Sequence, residues 1–409
     1  MGDDLAKLEP SERGGRPSGR TAFGFLLLVV FLDVLSLGVT LPVLPRLVVV
    51  LGGKGDSASV YGVFVASWQV AHLLAAPMLG ALSDRYGRRP LLLISCLGLG
   101  LDYGLMAVAS SLGTLMIGRL ISGVTASTFS IAAAYVADTT DGPDRPQRYA
   151  WLGATFSTGF IVGPVVGGIL GRIDLRLPFW VAGAVTVLTA AGGIFLLPES
   201  LPATKRTSLT LGRLNPIAAL GVLSRTVRLR WLAAVGLTYF ASQYVFQSAY
   251  ALYVGARYGW RELEIGMALA GTSLTGAVAQ TLLAKPISRR FGEGSVLSLA
   301  LVLAAGSLVF VGWAPFGWLS LCIAPVAAVS GLARSMLQSS ASREVGPSEQ
   351  GRLHGALVCL GGLAGVVFPT IFTSSLSWGG THGVPGLPFY VAAVCASLAA
   401  VVSMLAPAR

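Results

Sequence analysis

The sequence predicts an all-α integral membrane protein of twelve transmembrane helices, arranged as two pseudo-symmetric six-helix bundles. Composition is the first observation: 54% of the 409 residues are hydrophobic, 11% are charged, and the mean hydropathy is +0.73. A soluble protein carries roughly 25% charged residues, so 18 acids and 29 bases are too few to coat a globule of this size, while 52 glycines suit closely packed membrane helices. The second observation is that the chain breaks into twelve apolar runs near the length of about 20 residues that a bilayer requires. The third is that its two halves repeat each other at a constant offset.

Each run has its own warrant. The first (22–48) is apolar around Asp33, and Gly38, Pro42 and Pro45 loosen the helix beyond the acid. The second (60–82) holds His72 and Pro77, the third (90–110) Asp102, and the fourth (112–137) Arg119. The fifth (149–171) is rich in glycine, and the sixth (177–197) is almost wholly apolar. A polar interval, 198–230, follows with Lys205, Arg206, Arg213, Arg225, Arg228 and Arg230. The remaining runs are 231–256 with Gln243 and Gln247, 262–284, 294–313, 316–340 with Arg334 and Gln338, 351–375 and 386–406. The expected organisation is an amino-terminal tail (1–20), a first bundle (21–197), a linker (198–230) and a second bundle (231–406). The segment from Gly80 to Gly87 matches Lys285 to Gly292, and Gly163-Pro164 matches Phe368-Pro369, both offset by 205 residues. A shared offset that coincides with the six-plus-six division argues for duplicated halves around a central site, the design of a solute transporter.

Orientation follows from the bases, because short loops rich in Lys and Arg stay cytoplasmic. With the amino terminus inside, 21 bases fall on the inner side and six on the outer: Arg46, Lys54, Arg172, Arg176, Arg257 and Arg261. Both termini are therefore expected in the cytoplasm and the protein in the cytoplasmic (inner or plasma) membrane. Lys7, Arg13, Arg16 and Arg20 precede a run far longer than a signal-peptide core, so no cleavage is expected. The net charge of +11 lies between apolar runs rather than on a basic face, which excludes a nucleic-acid partner. No GxxxxGK[ST] loop occurs, so no nucleotide drives the protein; a proton gradient is the expected energy source, with no cofactor. Cys96, Cys322, Cys359 and Cys395 lie in apolar stretches without metal-ligand spacing, and read as small core residues with no metal site. No nucleophile–base pair points to an enzyme. The short basic carboxyl end offers no partner domain, and a functional monomer in contact with lipid is expected.

Four ionisable groups sit at bilayer depth: Asp33, Asp102, Arg119 and Arg334. Each costs on the order of 2.5–3.5 kcal/mol to insert, so each needs a partner or a task. One reading is a buried pair that fixes packing. The other is proton or substrate coupling, since an acid that alternates between wet and closed surroundings binds and releases a proton. Asp33, before a helix break, is the leading candidate. His72, five residues before Pro77, is either a polar residue facing a pocket or a further titrating group.

The loop Gly80-Ala-Leu-Ser-Asp84-Arg85-Tyr-Gly87-Arg88-Arg89-Pro90 resembles the signature loop of the major facilitator superfamily. That resemblance implies a latch in which Asp84 and Arg88 close the cytoplasmic side. Gly159, Gly163, Pro164, Gly167 and Gly168 resemble the GPxxGG motif of that superfamily's proton-driven antiporters. LDVLSLGVTLPVLP, YGVFVASWQVAHLLAAPMLGALSDRYGRRPLLL, GRLISGVTAS, WLGATFSTGFIVGPVVGG and SQYVFQ are similar to the tetracycline efflux antiporters, strongly in the first half and weakly in the second. The resemblance implies the major facilitator fold, Asp33 and Asp102 as essential acids, Arg119 as a group serving proton exchange, Asp138 as a third latch residue, and Gln243, Gln247 and Gln338 near the substrate path.

The sequence also departs from that pattern. Gly276 stands where the family has a histidine and Ala304 where it has an acid, while Arg334 replaces an apolar residue and His72 a glutamine. The second half thus loses a negative group and gains a positive one, which disfavours a cationic magnesium–tetracycline chelate. The expected activity is proton-coupled export of a neutral, zwitterionic or anionic organic compound. Protonation of Asp33 from outside and its displacement by substrate from inside would drive alternating access. An uptake symporter of the same fold, or a membrane receptor or scaffold that transports nothing, are the rival readings.

Overall fold

The computed structural model describes residues 19–53, 56–140, 142–207, 216–346 and 349–406. Lys7, Arg13, Arg16, Lys54, Arg213 and Arg409, counted above for orientation, lie outside them, as does most of the expected tail. All regular structure among the described residues is helical, as apolar surroundings demand of a backbone that must satisfy its own hydrogen bonds.

Twelve spans follow one another. Span 1 is Gly19–Thr40 continued by Leu44–Gly52, span 2 Ser57–Tyr86, span 3 Arg88–Val108, and span 4 Leu112–Thr125 continued by Thr128–Thr139. Spans 5 and 6 are Arg145–Ile173 and Leu177–Leu196. Span 7 is Val227–Ser248 with Tyr250–Tyr258, span 8 Glu262–Phe291, and span 9 Glu293–Trp313. Span 10 is built of Gly317–Cys322, Ala324–Ser330 and Leu332–Ser342, and spans 11 and 12 are Gln350–Thr381 and Leu387–Leu405. Ten helical segments are long and apolar enough to cross a membrane by themselves. Spans 7 and 10 are not among them: the first carries Arg228, Arg230, Gln243 and Gln247, and the second is cut into short pieces.

A period of three runs through this order. Spans 1, 4, 7 and 10 are broken; spans 2, 5, 8 and 11 are continuous around an internal proline, at Pro77, Pro164, Pro286 and Pro369; spans 3, 6, 9 and 12 have neither feature. The duplication read in the sequence has a local counterpart. Gly87 and Gly292 both cap a helix at positive φ (109° and 77°), and their amides bond the Ser83 and Ser288 carbonyls. Only glycine takes that backbone without strain.

Each half keeps its own core, around Leu26, Val30, Leu92 and Leu152 in the first and Leu232, Leu301, Leu337 and Leu353 in the second. Of the four cysteines, Cys96, Cys359 and Cys395 are buried and Cys322 is exposed, at a break in span 10 where no core surrounds it. The proline-bearing spans join the halves, span 2 along span 11 and span 5 along span 8. Span 5 does so with backbone rather than side chains. A Cβ on Gly163 would stand 2.7 Å from the Leu35 carbonyl oxygen and 2.8 Å from Gly38 Cα of span 1; one on Gly168 would stand 2.6 Å from the Glu262 carbonyl oxygen of span 8.

Contacts between the halves concentrate at one face. There Arg46 pairs with the buried Glu262, and Asp56 accepts hydrogen bonds from Ser377 Oγ (2.6 Å) and the Ser59 amide (3.3 Å). Ser59 Oγ lies 3.1 Å from Ser374 Oγ. Contact between spans 2 and 11 reaches in as far as Leu73 and Gly362; deeper still, Gly80 has nothing within 4 Å of its Cβ position. The molecule is closed at the Arg46–Glu262 face and opens toward the Asp84 face.

Two outcomes follow from these contacts. Gly163→Ala forces two backbones apart and should lower the thermal unfolding midpoint in detergent by the equivalent of about 1–3 kcal/mol, whereas Gly306→Ala, which meets nothing within 4 Å, should leave it unchanged. Partial burial works to raise the Asp56 carboxyl, but the hydrogen bonds from Ser377 and Ser59 outweigh it and hold the group below its ordinary 3.8. A depressed carboxyl contributes fully above its unfolded value and loses that contribution as pH falls through the folded one. Protection of the Ser59 amide, measured by hydrogen exchange corrected for intrinsic rate, should therefore be constant from about pH 7 to pH 5 and fall only below about pH 4. In Asp56→Ala it should be low throughout.

Candidate functional site

The embedded acids gather in the first half. Asp33 in span 1 is half-buried and accepts a hydrogen bond from Thr128 Oγ1 at 2.9 Å, just after the break in span 4. Asp102 in span 3 is fully buried, and its nearest cation is Arg119 of span 4, Nη1 to Oδ2 at 3.7 Å. That distance is an ion pair but not a hydrogen bond, and neither Asp102 oxygen has a hydrogen-bond partner. Ser122, the polar group beside it, turns its hydroxyl to the Arg119 carbonyl at 3.2 Å. Arg119 Nε and the hydroxyl of the buried Tyr103 are also unpartnered. The guanidinium lies over the Phe64 ring, 5.3 Å from its centroid. Asp33 and Asp102 both act electrostatically on Tyr103, so these groups form one neighbourhood.

This neighbourhood exists because spans 1, 3 and 4 meet there. Gly118 lies against Asp102, with a Cβ position 2.7 Å from Oδ1, so a larger residue would displace the carboxylate. Gly98 leaves room for Thr125. His72 is not in the group: its ring stacks on Trp68 (centroids 5.1 Å apart) and lies near the Ala126 backbone at the break in span 4. It lines neither cavity described below.

The larger cavity, about 340 Å³, lies between the halves. Its wall comes mainly from the second half, with Gln243, Gln247, Phe246 and Tyr250 of span 7, Thr272, Gly276 and Gln280 of span 8, and Ala304 and Ser307 of span 9. The first half contributes Leu41 and Pro45 from the break in span 1, and Phe160 and Pro164 from span 5. No charged side chain is among its lining residues. Gly276 and Ala304, two of the four departures in the sequence, are among its lining residues, as is Ser307, whose buried hydroxyl has no partner. The volume is that of a site for a small organic molecule.

A second cavity of about 320 Å³ lies between spans 10 and 11 toward the open face, lined by Ser335, Gln338, Ser339, Ser342, Gln350 and His354 with two leucines. Gln338 belongs here rather than with Gln243 and Gln247. Arg334, one turn before Gln338, is exposed and in no ion pair among the described residues.

At the open face the loop after span 2 forms a closed charge network. Arg88 binds Asp84 (Nη1 to Oδ1, 2.5 Å), Asp138 (Nε to Oδ2, 2.9 Å) and Ser83 Oγ (2.7 Å). Glu199 accepts the amides of Arg88 (2.8 Å) and Arg89 (3.3 Å) at the start of span 3, where the helix dipole favours an anion. Sequence reasoning did not find Glu199; its signal was an acid just after the sixth run. Gly87 is required because a Cβ there would stand 2.6 Å from the Glu199 carboxyl carbon. Arg85 stands outside the network, exposed over the Tyr86 ring, and Gly80 faces open space. In span 5, Gly159, Gly163 and Gly167 face span 1 while Gly168 faces span 8 and the Pro164 carbonyl meets Gly266, so the motif seats one helix between both halves.

Comparison with known proteins agrees with this architecture. The family model described as Major Facilitator Superfamily matches residues 26–369 and 236–408. The class C tetracycline resistance protein of Escherichia coli is 35% identical over 380 residues, covering 90% of this chain and 93% of the relative. Among solved structures, the human organic anion transporter MFSD10 (TETRAN) superposes with a TM-score of 0.68 at 25% identity, covering 95% of this chain and all of that one. The nucleoside transporter NupG reaches 0.73 at 14% identity over 94% of this chain and 98% of its own, a likeness of fold. Twelve spans in two six-helix halves, a cavity between them and a match along most of the chain lead to one conclusion: the protein is a multi-pass membrane protein that belongs to the major facilitator superfamily of transporters.

Proposed function

We propose that the protein is a proton-coupled antiporter that exports a small organic compound by alternating access across the cytoplasmic membrane, with both termini in the cytoplasm. The observation that carries this reading is the buried Asp102 carboxylate, whose oxygens make no hydrogen bond of ordinary geometry among the described residues, with Ser122 beside it and Arg119 3.7 Å away. A charge so placed is poorly satisfied. Uptake of a proton removes the charge, and a small approach of Arg119 restores it, so two arrangements of nearly equal energy are available. Thr128, the one hydrogen-bond donor to Asp33 among the described residues, sits at a helix break, so movement of span 4 alters both acids. Export is favoured over uptake by the span 5 motif and by the relatives, which include a tetracycline resistance protein and multidrug resistance proteins. Known transporters of this family need no bound cofactor.

The geometry changes one part of the mechanism expected from sequence. Neither Asp33 nor Asp102 lines either of the two cavities described, so a substrate held there does not displace the proton from a shared carboxylate in this state. Asp33 acts through span 1, whose break supplies Leu41 and Pro45 to the cavity wall. The 21-to-6 distribution of bases supports a cytoplasmic Asp84 face; on that reading the state is inward-open, and Arg88, Asp84, Asp138 and Glu199 form the inner gate. The uncharged cavity supports a substrate other than a cationic chelate.

Inverted membrane vesicles test the reading with a panel of neutral, anionic and magnesium-chelated tetracycline compounds. The wild type should show proton-driven uptake of at least one non-cationic compound. Asp33→Asn and Asp102→Asn should each lose about tenfold or more of that flux while keeping substrate affinity in purified protein. Unchanged flux in both variants would leave the acids as packing groups, and accumulation in whole cells rather than inverted vesicles would replace export by uptake. Restoring an acid to the cavity with Ala304→Asp should shift the preference toward the cationic chelate, read as a rise in its share of flux.

A further inference from the structure

The two cavities adjoin. Gln280 lines the larger one and bonds Ser335, which lines the smaller, so the two meet at this side-chain pair. Both open onto the same strip of span 10: Ser330 and Gly331 face the first, Ser335 and Gln338 the second. Arg334 lines neither cavity itself; it precedes Gln338 by four residues on the helix Leu332–Ser342, the spacing that puts both on one face. In the chain it lies between Gly331, which lines the first cavity, and Ser335, which lines the second. Its field reaches the Tyr239 and Tyr244 hydroxyls and His354, and Gln338 Nε2 lies 3.4 Å from His354 Nδ1. No carboxylate pairs with it among the described residues, although the nearby Glu293 is taken up by Arg343 and Ser339. An unpaired cation beside amide and hydroxyl donors, next to a chamber walled by Phe160, Phe246, Tyr250 and Leu308, has the chemistry to hold an acid group attached to an apolar ring.

We propose that the two cavities are successive stations of one site for an amphipathic organic anion, such as an aromatic carboxylate. The acid group first meets Gln338 and His354 in the polar cavity at the open face. It then passes to Arg334 as the apolar body enters the larger chamber. The Gln280–Ser335 pair is the partition that opens for this passage. Direction of movement rests on the export reading; the site itself does not.

Equilibrium binding to the purified full chain tests the site without any flux. The probes are 1-naphthoate and its neutral counterpart 1-naphthamide. Wild type should bind the carboxylate more tightly than the amide. Arg334→Gln should weaken 1-naphthoate binding about tenfold or more and leave the amide unchanged, while Arg334→Lys should retain most of the preference. Unfolding midpoints of both variants report whether the fold is intact. Gln338→Ala with His354→Ala should weaken the carboxylate alone by a smaller factor. Equal loss of both probes in Arg334→Gln, no loss, or a wild type that binds no carboxylate or prefers the amide would overturn the proposal. An unaltered carboxylate affinity in the Gln338 and His354 variant would overturn its two-station form. Carboxylate binding without proton-driven flux in vesicles would sink the antiport reading and leave this one standing; proton-driven flux of other compounds without carboxylate binding would do the reverse.

Discussion

The close approach of span 5 to spans 1 and 8 is the constraint on which the rest depends. In an apolar medium helices gain little by burying more hydrocarbon, and association rests on backbone-to-backbone packing. Gly159, Gly163 and Gly167 let span 1 lie against span 5 without intervening side chains, and Gly168 with Gly266 does the same for span 8. One helix therefore touches both the span that carries Asp33 and a span that walls the larger cavity. Interfaces of this kind, with backbone on both sides, do not deform gradually. They hold one register or shift to another.

Charge is distributed to match that division. At the open face Arg88 has several partners, and its network ties the start of span 3, the end of span 4 and the segment after span 6 to the loop after span 2. That arrangement favours one geometry. The Asp102–Arg119 pair is the opposite case, with acid oxygens and a guanidinium nitrogen left without hydrogen bonds inside the helix cluster. A buried pair held this loosely contributes little to stability. It is suited instead to a group whose protonation state changes during work.

Much of the fold was legible because its signals are one-dimensional. Apolar length gives spans, loop bases give orientation, and a constant offset gives the duplication; Gly87 and Gly292 even adopt the same cap. Breaks were legible where proline marks them, at Pro42 and Pro45. The breaks at Ala126–Ser127 and at Ala249 carry no proline and were not. Residue types identified the embedded charges, and Asp102 with Arg119 does form a pair. Which polar side chains share a cavity was beyond the sequence, because it depends on how the spans turn about their axes. Gln243 and Gln338 are both polar helical residues, yet they line different cavities, and His72 turns to span 4. Glu199 escaped notice for a related reason: its importance comes from the helix end that it meets in space.

The placement of acids and cavities bears on how two fluxes are linked. If proton and substrate competed for one carboxylate, an acid would have to line the chamber, and none does. Linkage then requires that both ligands bias the same conformational equilibrium. Span 1 is placed for this: Asp33 lies on its long segment, and Leu41 and Pro45 at its break belong to the cavity wall. In the proposed mechanism, a proton that alters the bond between Asp33 and Thr128 would act on span 1 and on the break in span 4, while a substrate in the chamber would act on the other end of span 1 and on span 5. Neither needs to touch the other's site. Under the proposed antiport, such an arrangement would let the second half differ in polarity, as Gly276, Ala304 and Arg334 differ from the pattern that the sequence resembles, without disturbing a proton site in the first.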